Sequence, residues 1–386
     1  MKIIYYSSTF FADCDFPLVG ELQRMGHDVS YYMPVASFNL RSTLFDLKRL
    51  YPKTGVFRAV DIYEEFRAYE NVIDLSRVFV VNKKHKQKYH PVNLWLMLRL
   101  AWRFYKQKPD VVQLTGEPSL AMKCLYGMKE KLVLTVHDPF MHSGKHSSSR
   151  EHDRKTAFRN IKKLILLNDR QVKNFSNHYK IPQNHIFVSR LGKYDCIEHI
   201  APLPSNINRP FILFYGNISE YKGIEYLLEA MKSVHRNHPD VLLVVAGEGK
   251  YYFDISAYQG LDYIQFRNYY ISTAELSGLL RECLFGVCPY KDASQSGVVQ
   301  TAFSLGVPMV VTDVGALSAA VEQGKTGIVV KPCDVGALAE GICKMLDDKE
   351  MLGRMRDTIN NEWKPSMNWR PVAEDYVECY NAKIEQ

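Results

Sequence analysis

The sequence predicts an α/β protein built from two doubly wound domains, and three observations carry that prediction. Short apolar runs with strand character alternate with amphipathic helical runs along most of the chain, the order that produces parallel sheets covered by helices. That rhythm is interrupted by "IAPLPSNINRP", a stretch rich in Pro and Asn, and then restarts. The length of 386 residues is enough, at about 150 residues per domain, for more than one core. Composition agrees, because 46% apolar and 24% charged residues with 22 Gly and 17 Pro exclude disordered, collagen-like and low-complexity chains.

Taken in order, Lys2 to Ser7 is rich in β-formers, and Leu18, Val19, Leu22 and Met25 then recur at helix spacing until Gly26 stops the run. Asp28 to Met33 is a second strand. The pattern returns at "KPDVVQLTG", a helical "SLAMKCLYGM" and "KLVLTVHDP". From Arg209 it is more regular: "FILFYGN", a helix carrying Ile224, Leu227, Leu228, Met231 and Val234 on one face, then "VLLVVAG". "DYIQF", a helix opened by "STAE", "LFGVCPY", a "SQSG" helix, "PMVVTD", another helix and "GIVVKP" complete the series. Ser272 and Glu275 form a capping-box pattern, and Asp334 is placed to cap a helix through Ala337 to Leu346. A linker near 200 to 210 sets expected domains of 1–205 and 206–365, followed by a final helix over 366–386.

The N-terminus has neither a long apolar h-region nor a small-residue cleavage site, and no run of about 18 apolar residues occurs. The expectation is therefore a chain without signal peptide or spanning helix. Eight cysteines are scattered without a C-x-x-C pair, which supports neither a disulfide framework nor a zinc site and makes a reducing cytoplasm the expected setting. The formal charge of +7 hides an asymmetry: residues 1 to 205 carry 32 basic and 19 acidic side chains, and 206 to 386 carry 17 and 23. The basic residues of the first half form no recognisable nucleic-acid reading motif, so nucleic acid is not an expected partner.

In doubly wound sheets ligands sit beyond the carboxyl ends of strands, where loops enter helices and backbone N–H groups can hold phosphate. After "FILFY", Gly216 leaves the backbone accessible and Lys222 can present a point charge near the next helix, a plausible pyrophosphate clamp. After "LFGVCPY", Ser294 or Ser296 can cap a helix whose first free N–H groups include those of Gly297 and Val298. The competing reading for Lys222 is a solvated side chain in a polar loop.

The series Gly216, Lys222 with Gly223, "VVAGEG", "IQFRNYYISTAEL", "VCPY", "SQSGVVQTAFSLGVPMVVTDVG" and "GKTGIVV" resembles the retaining glycosyltransferases of family 4 (group 1), which have the GT-B fold. The likeness spans roughly 211 to 346 and continues faintly through "LTVHD" and "SRLGKYD"; "WRPVAEDYVECY" looks like the family's last helix, which returns to the first domain. The resemblance implies two Rossmann-like domains facing across a cleft. It also implies a nucleotide-diphosphate sugar, most simply a UDP-sugar, held mainly by the second domain, and a saccharide or lipid-linked saccharide acceptor on the first. Cell-surface polysaccharide synthesis is the setting it suggests. It implies no cofactor and no metal, since basic side chains and helix N-termini take up the leaving diphosphate charge.

Residue by residue, the resemblance places the diphosphate at Gly216, Asn217, Lys222, Ser296, Gly297 and Val298. It places the nucleoside at Gly247, Glu248, Gly249, Arg267 and Tyr269, with Thr301 on the ribose. Asp292, Ser294 and Gln295 become candidates for sugar hydroxyls, with helix capping or surface solvation as the competing reading. His137 matches the family's histidine beside the reacting sugar and joins Lys222 as a catalytic candidate. The departures are equally specific. The usual pair of glutamates separated by seven residues falls on Ala293 and Thr301, a common Arg is Asn217, and the first strand is followed by "SSTFFADCDF" instead of a glycine pair. Retention without a carboxylate nucleophile implies front-face attack, in which the departing phosphate takes the acceptor proton. A sugar-nucleotide-binding protein without catalysis is the alternative these losses suggest. A nucleotide-sugar epimerase would need an acidic pair that is not evident.

His137, His142, His146 and His152 are close in sequence, but their spacing falls in a polar loop with no regular element to fix tetrahedral geometry, so no metal site is expected. The stretch "NKKHKQKYHPVNLWLMLRLAWRFYKQKPD" joins lysines to a helix with apolar residues on most faces. It reads either as a largely buried helix or, through its Trp, Arg and Lys, as a peripheral contact to an anionic membrane face.

Overall fold

A computed structural model describes residues 1–87, 90–140, 148–292 and 297–384. The chain divides into two compact units: Met1–Gly192 with Asn368–Gln386, and Lys193–Met367.

The first unit is built on an eight-stranded sheet of β1 (Lys2–Ser7), β2 (Asp28–Val35), β3 (Gly55–Arg58), β4 (Val78–Asn82), β5 (Val111–Thr115), β6 (Leu132–Val136), β7 (Lys163–Leu166) and β8 (Ile186–Val188). Its spatial order is β3-β4-β2-β1-β5-β6-β7-β8. All pairings are parallel except β3 with β4, an antiparallel edge that the helix–strand alternation does not announce. The first helix, Ala12–Arg24, ends where Gly26 takes φ +86°. "SLAMKCLYGM", expected to be an α-helix, is instead a series of 3-10 turns over Leu120–Lys131, interrupted by non-helical dihedrals at Lys129. The last helix, Trp369–Asn381, lies against this sheet: Tyr376 Oη is 2.9 Å from Thr135 Oγ1, and Lys163 Nζ donates to the Tyr380 carbonyl at 2.9 Å. Only glycine fits at 192, since a Cβ there would lie 2.6 Å from the Trp369 ring.

The second unit is an all-parallel sheet of β9 (Phe211–Tyr215), β10 (Leu242–Ala246), β11 (Ile264–Arg267), β12 (Gly286–Cys288), β13 (Met309–Thr312) and β14 (Gly327–Val330), in the order β11-β10-β9-β12-β13-β14. Its central strands are buried on both faces, which is why they read as continuous apolar runs and not as alternations. Helix Ile224–Asn237 covers one face, with Ile224, Leu227, Leu228, Met231 and Val234 all fully buried. At roughly 1.5–3 kcal/mol for each large aliphatic side chain removed from water, this stripe is a substantial part of the unit's driving force. Asp334 Oδ1 accepts from Ala337 N at 3.0 Å and caps helix Val335–Asp347 as its position predicts. Ser272 Oγ accepts from Glu275 N at 3.2 Å, but the reciprocal half of the box is not used. The Glu275 carboxylate accepts from Arg267 and Tyr269 instead, at 2.9 and 2.8 Å, because two strong donors at the β11 exit compete for it.

The direction in which successive strands are added reverses between β9 and β12, and between β1 and β5. These are the topological switch points, where neighbouring loops diverge and leave a crevice at the carboxyl ends of the strands.

Candidate functional site

The β9 and β12 exits flank the switch point of the second unit, and they bring Lys222 and Tyr290 together. Gly216 leaves β9 at φ +119°, a one-turn 3-10 segment spans Glu220–Lys222, and Gly223 at φ +62° opens helix Ile224–Asn237. A Cβ on Gly223 would lie 2.1 Å from the Pro289 carbonyl oxygen, so the two exits touch backbone to backbone. That approach turns the Lys222 side chain inward. Its ammonium donates to the Tyr290 hydroxyl and lies 3.9 Å from the Tyr290 ring centroid and 5.1 Å from that of Tyr221. Lys222 is only 7% exposed, which rules out the solvated-loop reading. Among the described residues it forms no ion pair with a carboxylate. Burial lowers its pKa from 10.5 to about 8. A cation held by a hydroxyl and two π faces has capacity left for an anion. A Cβ at Gly216 would be 3.8 Å from the Lys222 nitrogen, so the bare backbone borders this charge. Asn217 follows and is exposed. The neighbouring Lys291, by contrast, is engaged by Glu225 at 3.0 Å and Glu220 at 3.7 Å.

The helix expected after β12 runs from Gly297 to Ser304. Ser294, Gln295 and Ser296, and the Ala293 position, lie outside the described residues; Asp292 is exposed just before them. A Cβ on Gly297 would be 2.7 Å from the Tyr194 ring, and the Tyr215 hydroxyl donates to the Val298 carbonyl. Two tyrosines thus fix the helix start while the N–H groups of its first turn have no intrahelical acceptor. Thr301 Oγ1 donates to the Gly297 carbonyl at 2.8 Å, which orients its lone pairs but removes it as a free donor.

Gly247 and Gly249 have a packing reason. Gly247 adopts φ +151°, and a Cβ there would sit 2.0 Å from the Gly216 carbonyl oxygen, while one on Gly249 would sit 2.7 Å from Ile218. The β10 exit is thereby locked to the β9 exit, with Ile218 N donating to the Glu248 carbonyl at 3.1 Å. Arg267 is committed to Glu275 and to the Ser205 carbonyl at 2.6 Å. Tyr269, 48% exposed, borders an open cavity of about 570 Å³ together with Leu203, Pro204, Ser205, Phe266 and Glu275.

In the first unit His137 follows β6, half-buried and stacked on Phe11 with ring centroids 4.2 Å apart. Burial lowers its pKa from 6.5 to about 4, so the ring is neutral at physiological pH. Phe11 belongs to the segment that replaces the glycine pair; there Ser8 accepts from Phe10 N and caps a 3-10 turn over Thr9–Phe11. The same segment buries Asp15, which accepts from Tyr5 at 2.7 Å and from Tyr31 at 3.1 Å, and Asp13, which accepts from Thr43 at 2.7 Å. His142 and His146 lie outside the described residues, and His152 is on helix Ser148–Asn160. Among the described residues no group of three His, Cys, Asp or Glu side chains is placed to hold a metal ion.

Sequence reasoning did not name Tyr221, Tyr290, Tyr194 or Phe11. The adjacency of Tyr221 to Lys222 and the position of Tyr290 at a strand exit were the available signals; the Phe11 and Tyr194 contacts bridge distant segments and leave no local trace.

Residues 209–348 match the family model described as glycosyl transferases group 1. Among curated relatives, α-D-kanosaminyltransferase of Streptomyces kanamyceticus is 28% identical over 153 residues, 39% of this chain and 40% of that protein. Glycogen synthase of Mycobacterium tuberculosis is 27% identical over 175 residues, 44% of this chain and 42% of that protein. The chain thus spans less than half the length of these two relatives. Sucrose-phosphate synthase from Thermosynechococcus elongatus superposes with TM-score 0.67 at 16% identity, covering 98% of each chain. The Anabaena protein HepE in complex with UDP and glucose gives TM-score 0.67 at 13% identity, again over 98% of each chain. The fold is therefore that of the GT-B glycosyltransferases, and sequence similarity to group 1 glycosyl transferases lies in the second unit.

Proposed function

We propose that this protein is a retaining, metal-independent glycosyltransferase. It moves a sugar from a nucleoside-diphosphate sugar, a UDP-sugar in the simplest case, to a saccharide or lipid-linked saccharide acceptor. The observation that carries the reading is Lys222, a buried cation at the topological switch point without a carboxylate partner among the described residues. A side chain in that state is costly to the fold and suits an anionic group arriving from solution. In this reading Lys222 and the N–H groups at Gly297 and Val298 take the two phosphates, with Gly216 and Asn217 beside them. Tyr269 borders the nucleoside, Thr301 accepts from the ribose, and neutral His137 lies against the donor sugar, its ring held by Phe11. Asp292, Ser294 and Gln295 meet the sugar hydroxyls. Positive charge and helix N–H dipoles stabilise the diphosphate as the glycosidic bond breaks. Because the usual carboxylates are replaced by Ala293 and Thr301, the acceptor hydroxyl attacks from the side the diphosphate leaves and passes its proton to the departing phosphate oxygen. None of the eight cysteines is in a disulfide, which is compatible with a cytoplasmic, reducing setting, and polysaccharide assembly at the cell surface is the process we assign.

The same replacements favour a second reading, a protein that binds sugar nucleotides without turning them over. Labelled UDP-, GDP- and ADP-sugars separate the two. Release of free sugar or transfer to acceptor supports the enzyme; saturable binding with neither supports the binder. Inversion at the anomeric carbon of the product, seen by proton NMR, would rule out front-face attack.

A further inference from the structure

Helix Pro91–Gln107 is covered on one face only. Leu96, Met97, Leu100, Ala101 and Phe104 enter the core of the first unit, while Trp95, Leu98, Trp102 and Tyr105 are 56%, 51%, 63% and 40% exposed. The exposed four stand at i, i+3, i+7 and i+10, a single stripe about 15 Å long at 1.5 Å of rise per residue. Leu120, on the 3-10 segment Leu120–Lys131 that packs beside the helix, is also 59% exposed. Apolar surface this size is uncommon on a monomer without a partner.

Its charge is one-sided. The helix contains no acidic residue, and Arg99, Arg103 and Lys106 are all exposed. Arg99 lies 4.5 Å from the Trp95 ring centroid and Lys106 5.2 Å from that of Trp102, so cation and indole occupy the same height on the surface. None of the three basic side chains is in an ion pair among the described residues. Exposed Lys84 and Lys86 precede the helix, and Lys108 follows it.

We propose that this stripe is a membrane-docking surface for an anionic lipid leaflet. The helix lies along the leaflet, Trp95, Leu98 and Trp102 enter the headgroup boundary, and Arg99, Arg103 and Lys106 bind lipid phosphates. Indole and phenol rings with an apolar body and a polar edge partition to that depth, and basic side chains reach back to the headgroups. An exposed apolar stripe flanked along one side by Arg99 and Lys106, with Arg103 beside them over the Tyr32 and Phe79 rings, complements a fluid anionic surface. A protein partner would need a matching acidic groove. The proposal is independent of the proposed chemistry, since it concerns where the first unit sits.

The test is flotation of the full chain with vesicles of phosphatidylcholine alone or with phosphatidylglycerol, read together with tryptophan emission and size-exclusion light scattering. Binding to the anionic vesicles at least tenfold stronger than to neutral ones, with a blue shift in emission, is expected. W95S/W102S should abolish the blue shift, since Trp369 is buried and Trp363 packs edge-on against Phe303 in the second unit. R99S/R103S/K106S should weaken anionic binding about 100-fold, at about fivefold per basic residue near the surface, and flatten its salt dependence. R170S/K173S, which removes exposed basic residues elsewhere on the first unit, should change nothing. Circular dichroism melts show that the variants fold. Three results would overturn the proposal: no binding to either vesicle, binding indifferent to lipid charge, or a dimer that W95S/W102S dissolves.

Discussion

Replacing Lys222 by Met keeps the buried stem and removes only the charge. Burial lowers the lysine's pKa from 10.5 to about 8. At 1.36 kcal/mol per unit, that gap is about 3 kcal/mol of cost to the charged form. The unfolded chain binds more protons between pH 8 and 10.5, so stability rises with pH across that window; below pH 8 both states are protonated and the full cost is present. The contacts with the Tyr221 and Tyr290 rings return about 0.5–2 kcal/mol of it. Lys222→Met at pH 7 should therefore stabilise the free protein by about 1–2 kcal/mol, a rise in Tm of several degrees at about 2–4 °C per kcal/mol for a domain of this size.

Donor binding should move the other way. Losing a charge-assisted contact to diphosphate costs about 1.5–3 kcal/mol, or roughly 10- to 150-fold in Kd. Titration calorimetry with UDP at pH 7, beside thermal melts of the unliganded proteins, reads both effects. In the wild-type chain Kd should also weaken above pH 8, approaching tenfold per pH unit as the lysine loses its proton, and the Met variant should lack that slope. An unchanged Kd refutes the assignment. So does a variant that binds weakly and also melts lower, because that pattern belongs to a lysine that supports the fold.

Other perturbations give outcomes of comparable size. Gly247→Ala forces a Cβ to within 2.0 Å of the Gly216 carbonyl at φ +151° and should cost more than about 2 kcal/mol, visible as a lowered urea midpoint. Burial raises the Asp15 pKa from 3.8 to about 7, so the folded state holds its proton longer and stability falls as pH rises from 4 to 7. Asp15→Asn should remove about 3 kcal/mol of the stability difference between pH 5 and pH 8, measured by urea unfolding at the two pH values. His137 has the opposite sign: its pKa of about 4 means stability is lost as pH falls from 6.5 to 4, and turnover should show no histidine titration between pH 5.5 and 8. His137→Ala should lower kcat while leaving the UDP Kd within about twofold, as calorimetry and initial rates can show.

The fold was legible wherever local physics decides it. Both β9 and β10 are buried on two faces, so a run of Val, Leu and Phe suffices to mark them, and Asp334 caps its helix through atoms only three residues apart. Legibility fails where the deciding contact is remote. The β3 edge strand exists through pairing with β4, 20-odd residues later, and Glu275 leaves its capping role because Arg267 and Tyr269 reach it from another loop. Asp13 and Asp15 are buried acceptors through Thr43 and Tyr31, residues 16 or more positions away that no local pattern connects to them. Helix Pro91–Gln107 is the same case reversed: apolar residues surround it, and only its neighbours determine that Trp95 and Trp102 stay outside.

Net charge alone argues against the proposed anion site in the second unit, and the state of its individual cations is the stronger guide. Residues 193 to 367 carry 16 basic and 21 acidic side chains, so a uniform view would place no anion there. Its cations, however, differ in what they have left to offer. Lys232 and Lys325 are taken by Glu229 and Glu322, Lys291 by Glu225, and Arg209 and Arg356 spend their donors on backbone carbonyls. Lys222 is different because the exits of β9 and β12 bury it against a hydroxyl and two rings, which attract a cation without neutralising it. Coulomb attraction grows as the effective dielectric falls, so one such charge in a crevice outweighs several carboxylates dispersed in water. In the proposed site the net acidic surroundings would add selectivity, by favouring an anion that also makes a second contact at the helix start.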